Sequence, residues 1–222
     1  MTGYCFDLVT ARLVALPSGA LFWPDERLLC VSDLHLGKSE RLARRGGALL
    51  PPYEVPETLA RLDADLERTG PSRVVCLGDS FDDLAAAGHL EEADRLWLLR
   101  LMAGRDWLWI EGNHDAGPVD LGGSHRVELV VQGLAFRHIA TPARPEISGH
   151  YHPKARIAGL ARPCFLIDGG RVILPAYGAY TGGLWCDAPV LAGLMAADAR
   201  AVMTGRRTIA LPMPRQGAAR SR

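Results

Sequence analysis

Short apolar runs that stop abruptly in polar clusters recur along the first half of this chain. Leu28-Leu29-Cys30-Val31 leads into Ser32-Asp33-Leu34-His35-Leu36-Gly37-Lys38, Val74-Val75-Cys76-Leu77 into Gly78-Asp79-Ser80-Phe81-Asp82-Asp83, and Trp107-Leu108-Trp109-Ile110 into Glu111-Gly112-Asn113-His114-Asp115. A continuous apolar run this short, rich in β-branched or aromatic residues, predicts a strand buried on both faces. Between the runs, leucines at 59, 62 and 66 with charges among them predict an amphipathic helix over 55–68, closed by Gly70-Pro71. A second helix is expected over about 91–102. Strand, polar tip, helix and strand again is the βαβ rhythm of an α/β sheet.

The flanks read differently. Residues 6–9, 12–16 and 20–23, with a Pro17-Ser18-Gly19 turn, predict edge strands leading to the central one. After Asp33-Leu34-His35, Ser39 is placed to cap a short basic helix over 40–45 that stops at Gly46-Gly47 and Pro51-Pro52. Residues 128–131, 134–138, 146–149, 164–167, 172–174 and 208–211 are strand-like and joined by short turns, the pattern of an antiparallel second sheet packed on the first. One helix is expected near 190–199. With no internal repeat and no polar linker, the expectation is one domain over 1–214 and a flexible basic tail over 215–222.

Charge narrows the functional classes only slightly. Across 222 residues, 25 basic residues balance 25 acidic ones, so no bulk field draws the chain to nucleic acid or membrane, and any such binding rests on local patches. Five scattered cysteines without a Cys-x-x-Cys pair read as reduced core residues of a cytoplasmic protein. Asp7 and Arg12 interrupt the apolar run a signal peptide needs, and no stretch approaches a membrane span. Leu96, Trp97, Trp107, Trp109 and Trp185 supply apolar surface for either a core or a homo-oligomer face.

The polar tips carry the chemistry. Asp33, His35, Asp79, Asn113, His138, His150 and His152 all fall at or just beyond the ends of apolar strands, where open α/β sheets place their ligands. Carboxylates, imidazoles and one amide oxygen, with no thiolate, suit Mn²⁺, Fe or Zn²⁺ and disfavour an all-cysteine structural zinc. Seven donors exceed one tetrahedral ion, and two divalent ions are the economical reading.

In order, Asp33-x-His35, Gly78-Asp79-x-x-Asp82, Gly112-Asn113-His114-Asp115, His138 and Gly149-His150-x-His152 resemble the five-block signature of the calcineurin-like metallophosphoesterases, over roughly residues 28–153. The resemblance implies a four-layer α/β/β/α sandwich with two mixed sheets and a two-metal centre at the sheet edges. One ion would take Asp33, His35, Asp79 and His152; the other would share Asp79 and add Asn113, His138 and His150. His114 would be the catalytic imidazole, with Asp82 orienting it. His138 is followed by Ile139-Ala140, where many relatives carry a glycine.

Three stretches are similar to a narrower group, the bacterial ligase-associated DNA damage response endonucleases: 32–38, 137–153 and Pro175-Ala176-Tyr177-Gly178-Ala179-Tyr180-Thr181-Gly182-Gly183. That similarity implies a manganese-dependent phosphodiesterase cutting DNA, single-stranded or structured, alongside a helicase and a DNA ligase. Small nucleotides or phosphoproteins as substrates, or a scaffold without catalysis, are the competing readings. The basic cluster Lys38, Arg41, Arg44 and Arg45 is either a solvated helix face or a grip on neighbouring phosphates. His89 and His125 read as surface residues, Asp83 as a loop or cap carboxylate, and Asp115 as either a cap or a support for the ligands.

Overall fold

Seven strands make the first sheet. β1 (Tyr4–Leu8), β2 (Ala11–Ala15), β3 (Leu21–Trp23) and β4 (Leu28–Val31) form an antiparallel meander, and β5 (Arg73–Leu77), β6 (Asp106–Ile110) and β7 (Ser124–Arg126) then continue parallel to β4. The crossovers carry α1 (Lys38–Arg44) and α2 (Glu54–Thr69), then α3 (Leu84–Gly88) and α4 (Glu92–Met102). The computed structural model describes residues 3–44, 46, 51 and 53–214; Arg45, Gly47, Pro52 and the tail expected over 215–222 lie outside the described residues.

The second sheet contains β8 (Leu129–Val131), β9 (Leu134–Phe136), β10 (Glu146–Ser148), β12 (Leu160–Ile167), β13 (Arg171–Ile173), β14 (Arg200–Met203) and β15 (Ile209–Pro212), with β11 (Lys154–Ile157) paired to β12. It is mixed rather than antiparallel throughout, because β10 runs parallel to both β9 and β13. The helix expected near 190–199 is α5 (Pro189–Leu194). It stops there because Met195 turns extended and the Ala196 N–H is taken by Asp168 Oδ2 at 2.8 Å, after which the chain pairs as β14.

Strand periodicity divides the core into three slabs. Leu29, Val31, Val74, Cys76, Trp107 and Trp109 meet Leu59, Leu62 and Leu66 of α2 and Leu98 and Leu101 of α4. Their neighbours Leu28, Cys30, Val75, Leu77, Leu108 and Ile110 turn the other way, onto Phe136, Ile147, Phe165, Val172 and Val202 of the second sheet. Cys164, Leu166, Ile173 and Met203 cover the far side with Leu191 and Met195. Helix, sheet, sheet and helix therefore make four layers, as the family resemblance implied. Leu62 is fully buried in the first slab, so truncating it to alanine would cost about 2–5 kcal/mol.

Local signals explain most boundaries. Gly70 closes α2 in the left-handed conformation, its N–H returning to Leu66 O at 2.9 Å. Ser39 does not cap α1: the helix already starts at Lys38, Arg41 N–H bonds Gly37 O, and the Ser39 hydroxyl donates to Glu54 Oε1 at 2.5 Å. Trp107 and Trp109 are core residues, whereas Leu96 and Trp185 remain exposed. No helix among the described residues is long and apolar enough to cross a membrane.

Candidate metal centre

Parallel pairing in register brings the ends of β4, β5 and β6 side by side, and their polar tips with them. The first two tips are then zipped by main-chain bonds: Asp33 N–H to Gly78 O at 3.1 Å, His35 N–H to Asp79 O at 2.9 Å and Leu36 N–H to Ser80 O at 2.9 Å. Asp33 and His35 converge for this reason rather than by strand alternation, since β4 has ended at Val31. Their φ angles are 54° and 46°, that of Asp79 is 46°, and those of His150 and His152 are 70° and 44°. Half of the ten described non-glycine residues with left-handed φ are thus expected ligands. Each such residue costs about 1–2 kcal/mol, strain that persists only where the surroundings over-determine it and that clusters at functional sites.

The donor atoms form two knots. In one, His152 Nε2 lies 3.0 Å from Asp33 Oδ1 and 3.4 Å from His35 Nε2. In the other, His138 Nε2 lies 3.0 Å from Asn113 Oδ1, 3.3 Å from Asp79 Oδ2 and 3.3 Å from His150 Nδ1. All seven expected ligands are therefore brought together. Asp33, His35, Asp79 and His138 are buried, His150 and His152 half-buried, and Asn113 exposed.

Groups behind the ligands fix which atoms face inward. His35 Nδ1 is held by Asp82 Oδ1 at 2.9 Å and His138 Nδ1 donates to Leu77 O at 2.9 Å, leaving each Nε2 for the centre. Ser32 Oγ donates to Asp33 Oδ2 at 2.5 Å, and the His150 N–H donates to the same oxygen at 3.0 Å. Asp33 Oδ1, completely buried, accepts no well-aligned hydrogen bond despite its closeness to His152. A buried carboxylate oxygen without a proper donor, facing imidazole nitrogens that crowd one another, is satisfied by a cation; this donor set fits divalent metal ions.

Charge follows the same geometry. Burial opposes ionisation of Asp79, but the hydrogen bond and charge of His138, with the His114 N–H, hold its carboxyl down at about 2. Asp33 is likewise desolvated, yet His152 and His138 keep it below the ordinary carboxylate value. His138 is raised, burial being outweighed by Asp79 and Asp33, while burial and the charge of His138 lower His150.

Two supports stand behind the ligands, the first of them one of the two readings the sequence left open. Asp115 accepts the N–H groups of Asp79, Ser80, Phe81 and Gly112 at 2.7–3.1 Å, so it holds the Asp79 loop rather than capping a helix. Gly78, at φ 79°, lets His138 approach: a Cβ there would stand 2.3 Å from the ring Nδ1.

The expected partnership of the Asp82 carboxylate with His114 is not what forms. The carboxylate bonds His35 and Arg41, and it is the Asp82 carbonyl oxygen that holds His114 Nδ1 at 2.9 Å. His114 is exposed, its ring edge-on to His35. The basic cluster also changes meaning. Arg41 is committed to Asp82, Arg44 is paired with Glu40 and Asp83, Lys38 sits half-buried at the start of α1, and Arg45 lies outside the described residues. Asp83 also caps α3. His125 is half-buried against Trp109, and His89 is exposed.

A four-layer sandwich of two mixed sheets, with Asp, His and Asn donors gathered where parallel strands end, defines a metal-dependent phosphoesterase. The sequence profile of the calcineurin-like phosphoesterases matches residues 26–185, and the chain belongs to that family, whose members hydrolyse phosphoesters with divalent metals. Among solved structures it is similar to the nuclease MPE of Pseudomonas putida, with a TM-score of 0.75 and 29% identity over 94% of this chain and 100% of that one. No curated protein matches the chain.

Proposed function

We propose that the protein is a two-metal phosphodiesterase that cuts DNA, with Mn²⁺ as its ion. The convergence of seven donors into two adjacent knots carries the two-ion reading, and similarity to a nuclease over nearly the whole of both chains supports the substrate. One ion would be held by Asp33, His35, Asp79 and His152, and the other by Asp79, Asn113, His138 and His150. Bound there, the ions supply positive charge that activates the attacking water and neutralises the phosphate.

The chain's own groups do the remaining work. His114, held at Nδ1 by the Asp82 carbonyl, presents Nε2 to the phosphate. Protonated, it stabilises charge on the phosphoryl oxygens and gives its proton to the leaving oxygen as the phosphorus–oxygen bond breaks. Asp82 acts beneath it by fixing His35. A reducing, cytoplasmic setting agrees with five free cysteines, and a role in DNA repair beside a helicase and a ligase follows from the similarity of residues 32–38, 137–153 and 175–183 to that endonuclease group.

The test is cleavage of a circular single-stranded DNA beside a small chromogenic phosphodiester, by metal-stripped protein given back Mn²⁺, Zn²⁺ or Mg²⁺ in turn. A circle has no ends, so its opening in the presence of Mn²⁺ and its survival with His114→Ala are expected. Hydrolysis of the small diester with the circle intact would replace DNA by a small nucleotide substrate.

A further inference from the structure

Two cavities open beside the metal centre, and they differ in charge. The one past Asn113 and His138 is lined by Glu111 and Glu128, and its one arginine, Arg137, is already tied to Glu128 and Glu146. The one past His152, of about 140 Å³, is lined by Lys154, Arg162, Thr181 and Gly182. Neither Lys154 nor Arg162 has a carboxylate within ion-pair distance among the described residues, unlike Arg41 and Arg44 on α1. Of these two cavities, the one on the His152 side offers a polyanion cations free of carboxylate partners.

That side continues outward. Lys154 Nζ lies 4.7 Å and the Arg156 guanidinium 4.5 Å from the centre of the Trp185 ring, so one indole holds both cations in place. The ring is itself fixed to the hairpin, since Lys154 N–H donates to Leu184 O and Cys186 N–H to Lys154 O at 2.8 and 2.9 Å. Beyond it, Arg156 and Trp185 line a second, wider hollow with Gly159, where Asp187 is the carboxylate among the lining residues. Arg162, opposite Ala155 in the register, faces the other side of the hairpin, whereas His152, Lys154, and Arg156 with Trp185 form a row that begins at a metal ligand. A small phosphoester would occupy only its first position.

We propose that the hairpin β11–β12, with Trp185, is the track for the DNA strand on one side of the bond being cut. Lys154 and Arg156 hold successive phosphates, and Trp185 keeps both cations at the groove. This rests on the DNA-cleaving reading above and moves the substrate grip from the α1 cluster to the hairpin. Exposed arginines serve this purpose because they neutralise backbone phosphates without reading bases.

The experiment compares wild type, Lys154→Ala/Arg156→Ala and Arg156→Lys, each loaded with Mn²⁺, on a DNA strand and on a small chromogenic phosphodiester. The double variant is expected to lose about tenfold or more in kcat/KM on DNA, with the small diester changed by less than about twofold. Its salt dependence of DNA binding should be shallower by about 1.4 in log–log slope, two single-strand phosphate contacts having gone. Arg156→Lys should retain most of the DNA activity, because a phosphate contact needs charge more than fork geometry. Unchanged DNA cleavage in the double variant overturns the proposal, and so does an equal fall on both substrates, which would mean the hairpin only props the metal centre. Should wild type hydrolyse the small diester and leave all DNA intact, the DNA reading itself fails and this inference goes with it.

Discussion

The ring of His114 is tied to the main chain of Asp82 and not to its side chain: Nδ1 stands 2.9 Å from the carbonyl oxygen, while the carboxylate bonds His35 Nδ1 at 2.9 Å and Arg41. Substitutions at the two positions therefore separate. His114→Ala should lower turnover by about 10²–10⁴-fold with metal content retained. Asp82→Ala leaves the carbonyl in place and frees His35, so it should weaken metal binding by about 10–100-fold. Metal analysis beside single-turnover rates distinguishes them, and loss of both metals in His114→Ala would remove its catalytic assignment.

Asp115 gathers four main-chain donors around one carboxylate. Asparagine there keeps one acceptor oxygen and turns an NH₂ toward N–H groups. Asp115→Asn should destabilise the fold by about 1–3 kcal/mol and loosen the Asp79 loop. Urea denaturation with and without Mn²⁺ measures both effects, and unchanged metal affinity would sever Asp115 from the centre.

The left-handed backbone at five expected ligands is a cost that bound ions would offset. Adding Mn²⁺ at about a hundred times its dissociation constant should stabilise the protein by about 2.7 kcal/mol, read as a rise in Tm. In Asp79→Ala, which removes the carboxylate facing His138, the rise should disappear.

Away from the site, Asp168 governs part of the acid response. Burial opposes its ionisation, but the N–H groups of Ala196 and Gly170 and the Arg144 guanidinium hold its carboxyl below the ordinary value. A depressed folded-state pKa gives stability that is present above the unfolded value of about 3.9 and lost as pH falls through the folded one. Wild type should exceed Asp168→Asn in Tm at neutral pH, and the gap should narrow steadily below pH of about 4. A gap independent of pH would assign the effect to packing.

Much of this centre was legible in one dimension because its ligands follow strands. Apolar runs ending at Val31, Leu77 and Ile110 mark the places where parallel strands release their chains, and a polar residue just past such an end has few other destinations. The four layers came with the family resemblance, and the structure bears them out, alternate residues of β4, β5 and β6 going to opposite slabs. The short polar strands β7 and β11 escaped notice because Ser-His-Arg and Lys-Ala-Arg-Ile carry no apolar run, and the parallel pairing of β10 depends on partners the local sequence does not name.

By itself, then, the sequence determined which chemical groups stand at the strand ends and in what order, because burial of apolar runs is a local property that periodicity exposes. Only the tertiary structure decided how those groups pair. Asp33 meets His152 across 119 positions of chain, Asp82 chooses His35 and Arg41 over His114, and Lys154 and Arg156 of the β11–β12 hairpin lie against Trp185 while Arg41 and Arg44 of α1 are taken by carboxylates. Hydrogen bonds and ion pairs act over about 3 Å of space and are indifferent to sequence separation, so their partners are settled only when the layers close.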